Sequence, residues 1–366
     1  MSANADAIGL PLSELETPAL CLDLDAYRRN LRRMADGIIR RHGLAWRPHM
    51  KGQKAPELAL EAKAAGACGV TCATLYEAEA MTDAGVDNIL LAHQVVGARK
   101  QARLARLAGR VRLIAATDSE AHAAQLNSAA QAERIVLPVI IEVDAGMQRC
   151  GVAPGEPAVQ LARCLATMPA LRLAGLMAWE GHTVPLEGEE KRREIEAAIQ
   201  RLTQSAGQCR AAGIQVDIVS ASGSATYLDS IPLPGLTEVQ AGGGAFCDLN
   251  YQRWGLDHEF AVKVLTRVVS RPSPCRLIVD GGFKTMSVQH GSPRPLGVGA
   301  LKSMVLSAEH GTLEFEEPDV SHQVGDAIEF IPGYTDSTVC LHDEICVIRN
   351  GVLEAVWAIP GRTGRR

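Results

Sequence analysis

No stretch of the 366 residues is apolar for long enough to cross a bilayer; runs such as residues 135–141 stop well short of the roughly 20 that a spanning helix needs. The opening Met1-Ser2-Ala3-Asn4-Ala5-Asp6 lacks the basic and apolar regions of a secretory leader, so a cytoplasmic location is expected. Neither charge is in strong excess. A net charge of −5 and a pI near 6.1 leave no footprint for nucleic acid or an acidic membrane surface, and the short basic end at Arg362, Arg365 and Arg366 does not change that. The 10 cysteines are scattered and no CxxC pair occurs, which argues against a zinc cluster or disulfide framework and for small core residues in a reducing compartment. No low-complexity segment or long linker interrupts the chain. The default partner is a small soluble ligand.

What is present is an ordinary globular composition, 47% hydrophobic and 22% charged, enough for one large domain and a smaller one. After a strand near residue 20 and a helix starting near Asp25, apolar strands alternate with helical spacing. The strands fall near residues 44–50, 69–72, 88–91, 111–116, 136–143, 173–179, 216–221 and 238–241. Helical spacing is clear ahead of Gly85 and in the charged run 187–201. Eight such units, with strands apolar on both faces, predict a (β/α)8 barrel over residues 25–254. Beyond Trp254 the pattern changes to short strands separated by turns, with Asn350-Gly351 as a hairpin signal. A β-domain of residues 1–24 plus 255–366 is expected, so the fold class is α/β plus β.

In such a barrel, chemistry belongs at the carboxyl ends of the strands. The first ends in Trp46-Arg47-Pro48-His49-Met50-Lys51-Gly52-Gln53-Lys54. A lysine held where an apolar run meets a turn loses solvation as a cation, and its free amine becomes a nucleophile toward carbonyls. A solvated surface lysine after a strand would look the same. After the fifth strand, Arg149 can hold a carboxylate or a phenolic oxygen by charge-assisted hydrogen bonds, or stand in a buried structural salt bridge. After the sixth, His182 suits proton transfer, or only caps a helix or fills a loop. After the seventh, Ser222-Gly223-Ser224-Ala225 lets main-chain N–H groups approach an anion, although a Ser/Gly turn is often just a turn. The end of the seventh strand is where barrel enzymes often bind phosphate.

These stretches resemble a single family. RPHMKGQK is similar to the RPHxKxHK signature of the D-threonine aldolase and D-serine dehydratase family, pyridoxal-phosphate enzymes of the alanine-racemase fold. VDAGMQRCG resembles its VDxGMxRxG motif, WEGH its YEGH-type segment, EVQAGGGAFCD its ExRPGxYxFxD pattern, DGGFK its DAGxK segment and SAEHG its SEEHG segment. The resemblance implies that Lys51 carries pyridoxal phosphate, with His49 beside it. It implies that Arg149 and Trp179 flank the cofactor, and that Gln240, Gly242 and Gly243 join Ser222, Gly223, Ser224 and Ala225 around the ring and phosphate. It also implies a homodimer, because in relatives the β-domain of one subunit reaches the barrel mouth of the other. Four positions depart from the family: Gln53 stands for a usual histidine, Trp179 for a tyrosine, Gln240 for an arginine and Gly244 for a tyrosine.

The largest departure is in the β-domain. Metal-dependent members use a PxHxC or PxHxD segment to supply two ligands to a divalent cation; this chain has Pro332-Gly333-Tyr334-Thr335-Asp336. Asp336 fits the second ligand, but a neutral phenol at Tyr334 is a poor ligand compared with imidazole. Either the metal (Mn, Mg or Zn) is lost, or Asp336 holds it weakly with water and substrate oxygens; loss is favoured. His342 and Asp343, adjacent on an expected alternating strand, would point to opposite faces. Elimination of water from a β-hydroxy amino acid wants a Lewis acid on the leaving hydroxide, whereas retro-aldol cleavage wants a base on the hydroxyl proton. The expectation is therefore a pyridoxal-phosphate-dependent lyase cleaving a D-β-hydroxy amino acid, with Lys51, His182 and Arg149 as catalytic residues. A dehydratase or racemase of the same fold, or a cofactor-binding protein without turnover, are the alternatives.

Overall fold

The computed structural model describes residues 4–362. In chain order it begins with β1 (Ala19–Asp23) and α1 (Leu24–Ala35), followed by β2 (Ala45–Trp46), α2 (Pro56–Ala64), β3 (Val70–Cys72), α3 (Leu75–Asp83), β4 (Asn88–Leu91) and α4 (Ala98–Ala108). Next come β5 (Arg112–Thr117), α5 (Glu120–Ala132), β6 (Leu137–Glu142), α6 (Glu156–Ala166), β7 (Leu171–Met177), α7 (Gly188–Ala211), β8 (Ile218–Ala221), α8 (Tyr227–Ser230) and β9 (Glu238–Val239). The remainder is α9 (Leu249–Arg253), β10 (Val262–Ser273), β11 (Arg276–Val279), β12 (Arg294–Pro295), β13 (Leu301–Leu306), β14 (Gly311–Phe315), β15 (Ala327–Ile331), α10 (Thr335–Val339), β16 (Glu344–Arg349) and β17 (Val352–Ala358).

Contacts divide the chain into two compact units. One comprises Arg32–Lys51 and Pro56–Gly243; the other comprises the residues up to Leu31, Gly52–Ala55 and Gly244–Arg362. In the first, eight parallel strands run in the order β2-β9-β8-β7-β6-β5-β4-β3. The ladder closes on itself beyond the end of β2, where Thr71 N–H donates to Pro48 O at 2.9 Å and Met50 N–H to Thr71 O at 2.8 Å. This is the expected (β/α)8 barrel. Its strands are buried on both faces, as in β5 and β6, because helices cover the outside and side chains fill the inside. Local signals fix helix starts: Thr74 Oγ1 caps α3 by accepting from Glu77 N–H at 3.2 Å, while the Glu77 carboxylate returns to Ala73 N–H at 2.7 Å.

The second unit is a nine-stranded mixed sheet in which β1 lies between β10, antiparallel, and β16, parallel. Leu15, Ala19, Cys21, Leu265, Cys346 and Leu353 form a buried cluster on it. The edges of the two units differ from residues 25 and 254 for a local reason. Asn30 near the end of the first turns of α1 donates to the carbonyls of Ala245 and Glu259 at 3.0 and 2.8 Å, and its own carbonyl oxygen accepts from Glu259 N–H at 3.0 Å. Both the start of α1 and the segment after Gly243 are thereby tied to the mixed sheet. Asn350 and Gly351 both have positive φ, 50° and 77°, as a tight hairpin between β16 and β17 requires. None of the 10 cysteines is in a disulfide. Of the basic C-terminal end, Arg362 pairs with Asp343, while Arg365 and Arg366 lie outside the described residues. Among the described residues no helix is long and apolar enough to cross a membrane.

Candidate active site

The carboxyl end of β2 stays extended past its short ladder. Arg47 N–H donates to Val239 O and His49 N–H to Gln240 O, both at 2.9 Å, before the chain turns. Lys51 stands exposed at the first position of that turn, its N–H directed at His49 Nδ1 at 3.3 Å. Gly242, past the end of β9, lies so close to the His49 main chain that any Cβ there would strike it. Lys51, His49 and Gly242 are thus assembled by neighbouring strand ends, and Gly243 follows at the start of a short 3-10 turn.

Beneath them runs a polar network that motif reading passed over. Strand register sets Glu142, Met177, Ser220 and Glu238 side by side on one face. Gln240 Nε2 donates to Ser220 Oγ at 3.0 Å, and Ser220 Oγ donates to Glu238 Oε1 at 2.9 Å. Arg47 Nε donates to Glu238 Oε2 at 2.8 Å and Arg47 Nη1 to Asn88 Oδ1 at 2.7 Å. The Arg47 and Glu238 side chains are only 4% and 3% exposed. The chain of bonds satisfies a buried charge pair and fixes which way the Gln240 amide faces. Arg47 and Glu238 both sit inside the motifs quoted above, yet no local pattern says that they meet.

After β7 and β8 two loops interlock. A Cβ on Gly223 would come within 2.5 Å of the Trp179 ring, so the indole lies directly on the Ser222–Ser224 main chain. Ser222 adopts a left-handed conformation, φ 73°, and its hydroxyl shares a hydrogen bond with Ser230 Oγ at 2.6 Å. Gly223 O accepts from Thr226 N–H and Tyr227 N–H at 3.1 and 2.9 Å, folding the loop back into α8. Ser224 and Ala225 are buried in it. Glu180, missed in the sequence although it lies between Trp179 and Gly181, is 1% exposed and accepts from Thr226 Oγ1 at 2.5 Å. Burial pushes its carboxyl pKa up, against the hydrogen bonds that it receives.

His182 sits against the loop after β6: a Cβ on Gly146, which has φ 130°, would lie 2.7 Å from His182 Nε2. Its Nδ1 is buried with no hydrogen-bond partner. Desolvation lowers its pKa, and the Arg201 guanidinium, which donates to Ala145 O at 2.8 Å, lowers it further. Arg149 is exposed, so the buried-salt-bridge reading does not hold for it. Its charge is felt by two groups at the ends of β6 and β4. Burial raises the pKa of Glu142 while Gln94, donating at 2.6 Å, and Arg149 oppose the rise; burial lowers that of His93, and Lys100 and Arg149 add to the fall.

In the mixed-sheet unit, Tyr334 Oη donates to Asp336 Oδ2 at 3.0 Å and Tyr251 Oη to Asp336 Oδ1 at 3.4 Å. Gln53, in place of the family's histidine, is buried and accepts from Tyr27 Oη at 2.7 Å. The DGGFK and SAEHG segments bind each other: Phe283 N–H donates to Ser307 O at 2.8 Å and Lys284 Nζ pairs with Glu309 at 2.8 Å. His342 and Asp343 lie in the turn between α10 and β16, not on a strand; the His342 ring bonds to Thr285 O at 2.9 Å and Asp343 faces outward to Arg362.

Residues 22–249 match the family "Alanine racemase, N-terminal domain", and residues 261–348 match a serine dehydratase domain. The chain is 33% identical over 359 residues to D-threonine aldolase of an Arthrobacter species, covering 97% of this chain and 94% of that protein. It is 32% identical over 370 residues to 3-hydroxy-D-aspartate aldolase of Paracoccus denitrificans (strain Pd 1222), with the same coverage of 97% and 94%. The crystal structure of D-threonine aldolase from Filomicrobium marinum superposes with a TM-score of 0.96 at 33% identity, covering 100% of both chains. A barrel whose first strand ends in an exposed lysine, matched along nearly its whole length, places this chain in the alanine racemase N-terminal domain family, alongside D-threonine aldolase.

Proposed function

We propose that this chain is a pyridoxal-phosphate-dependent lyase that cleaves a D-β-hydroxy amino acid of the D-threonine class by retro-aldol reaction, giving glycine and an aldehyde. The observation that carries this reading is the nearly full-length similarity to two aldolases of 3-hydroxylated D-amino acids. The residues at the strand ends fit the cofactor. An exposed lysine ends the first strand, and in the loop after β8, where the Ser222 hydroxyl is engaged by Ser230 and the Gly223 N–H by Thr226, the main-chain N–H groups of Ser224 and Ala225 would provide donors suited to a phosphate monoester. Gly242 and Gly243 would add main-chain contacts there, and Trp179, seated on Gly223, would offer a flat surface to the pyridine ring. When bound, pyridoxal phosphate supplies an electron sink for the bond broken at the substrate Cα.

The chain's own residues do the rest. Lys51 would hold the cofactor through its carbonyl carbon, with His49 beside it in the turn. Gln240, its amide held by Ser220, sets the polarity at the ring. Arg149 grips the substrate carboxylate or the cofactor's phenolic oxygen with charge-assisted hydrogen bonds. His182, whose lowered pKa keeps it neutral at physiological pH, accepts the β-hydroxyl proton. The working form is read as a cytoplasmic homodimer acting on a free amino acid. A Lys51→Ala variant supplied with D-threonine is expected to release neither glycine nor acetaldehyde; full activity in that variant would overturn the reading.

A further inference from the structure

We infer that the Pro332–Asp336 segment, which stands where metal-dependent relatives hold a divalent cation, is a phenol-clamped carboxylate in this chain, and that Tyr334 is the residue that closes it to metal. A cation site at this place needs the lone pairs of the carboxylate and of a neutral imidazole. Tyr334 does the opposite of an imidazole: it brings a proton, donated to Asp336 Oδ2 at 3.0 Å, while Tyr251 directs its own hydroxyl at Oδ1 at 3.4 Å. Both carboxylate oxygens are therefore engaged by donors rather than presented to an ion.

The clamp is built rather than incidental. The Tyr334 ring packs against Tyr251, Trp254 and His290, with centroids 6.1, 6.0 and 5.2 Å away. The backbone beside it is pinned, because Asp248 Oδ2 accepts from Thr335 N–H at 2.7 Å and Thr335 Oγ1 at 2.8 Å, and Asp248 also caps α9. On its remaining side the Asp336 carboxylate fills the space that a Cβ on Gly52 would need. Gly52 is the residue after Lys51 in the sequence. Among the described residues no three His, Cys, Asp or Glu side chains gather as a ligand set. A cation could enter only by displacing two donors from a seated carboxylate, and the neighbouring imidazole, that of His290, is packed edge-on against the Tyr334 ring.

The test reads metal binding directly, so it stands or falls separately from the proposed reaction. Full-length protein treated with chelator and then desalted is titrated calorimetrically with Mn2+, chosen because it does not favour the cysteine thiols as softer ions do. Wild type, Tyr334→His, Tyr334→Phe and Asp336→Asn are compared, with circular dichroism confirming that each is folded. The expected result is no stoichiometric uptake by wild type or Tyr334→Phe. Tyr334→His should bind about one Mn2+ per chain, gaining more than the roughly tenfold that contacts around a metal site typically alter. Stoichiometric binding by wild type that is abolished in Asp336→Asn would overturn the inference, and so would a folded Tyr334→His that binds no better than wild type.

Discussion

The Arg47–Glu238 pair is the sharpest energetic commitment among single residues. Two nearly fully buried charges are tolerated because Asn88 bonds to Arg47 and Ser220 to Glu238, with Gln240 holding Ser220 in turn. Removing one partner leaves the other charge stranded, so Arg47→Met should lower stability by about 3–5 kcal/mol in urea unfolding, and Glu238→Leu in the same chain should restore most of the loss. A single variant within about 0.5 kcal/mol of wild type would show that the pair is not buried as described. Gly223 makes a second case. Because the indole of Trp179 occupies the space of its missing Cβ, Gly223→Ala must displace the ring. Overpacking of this kind costs about 1–3 kcal/mol, and the variant is also expected to lose cofactor on dialysis. Unchanged retention would mean that Trp179 and the Ser222–Ala225 loop do not hold the cofactor. Neither pairing could be read from the sequence, since the members of the ion pair are 191 positions apart and Trp179 meets Gly223 only once β7 and β8 are neighbours.

Among the elements, the turn between α10 and β16 carries a pH dependence. His342 is bonded through its ring to Thr285 O, and desolvation depresses its pKa to about 4. The folded state therefore holds the ring neutral, while the unfolded chain takes up a proton below its ordinary value of roughly 6.5. The unfolded state binds more protons between those limits, so stability is complete above about pH 6.5 and falls as pH drops toward 4, by up to about 3 kcal/mol. Thermal unfolding across that range should show the decline, and His342→Gln should flatten it; a variant with the same slope as wild type would assign the decline elsewhere. Barrel strands such as β4, β5, β6 and β8 were legible because each is a mostly buried apolar run, whereas β2 and β9 form ladders of only 2 residues each. In the mixed sheet, β13 was not: Leu301–Leu306 is half-buried to exposed throughout, with Lys302 and Ser303 giving no apolar alternation, and its pairing with β14 follows from tertiary position. His342 was read onto a strand because the apolar run Ile345–Ile348 lies just beyond it, yet the ladder begins only at Glu344.

For the molecule as a whole, the barrel fold and the nearly full-length similarity to aldolases support one chemistry. Lys51, Arg149 and the Ser222–Ala225 loop could be picked out in the sequence because each sits in a contiguous segment at a strand end. Glu180 and Glu142 could not, because nothing in a short motif tells a buried carboxylate from a solvated one. In the proposed reaction the bond broken lies between Cα and Cβ of a D-configured substrate. The most direct measurement incubates the cofactor-loaded protein with D- and L-threonine and D- and L-serine and assays glycine and ammonia together. Glycine, matched by aldehyde, is expected from D-threonine and not from its L-enantiomer; ammonia with a keto acid in place of glycine would contradict the retro-aldol reading.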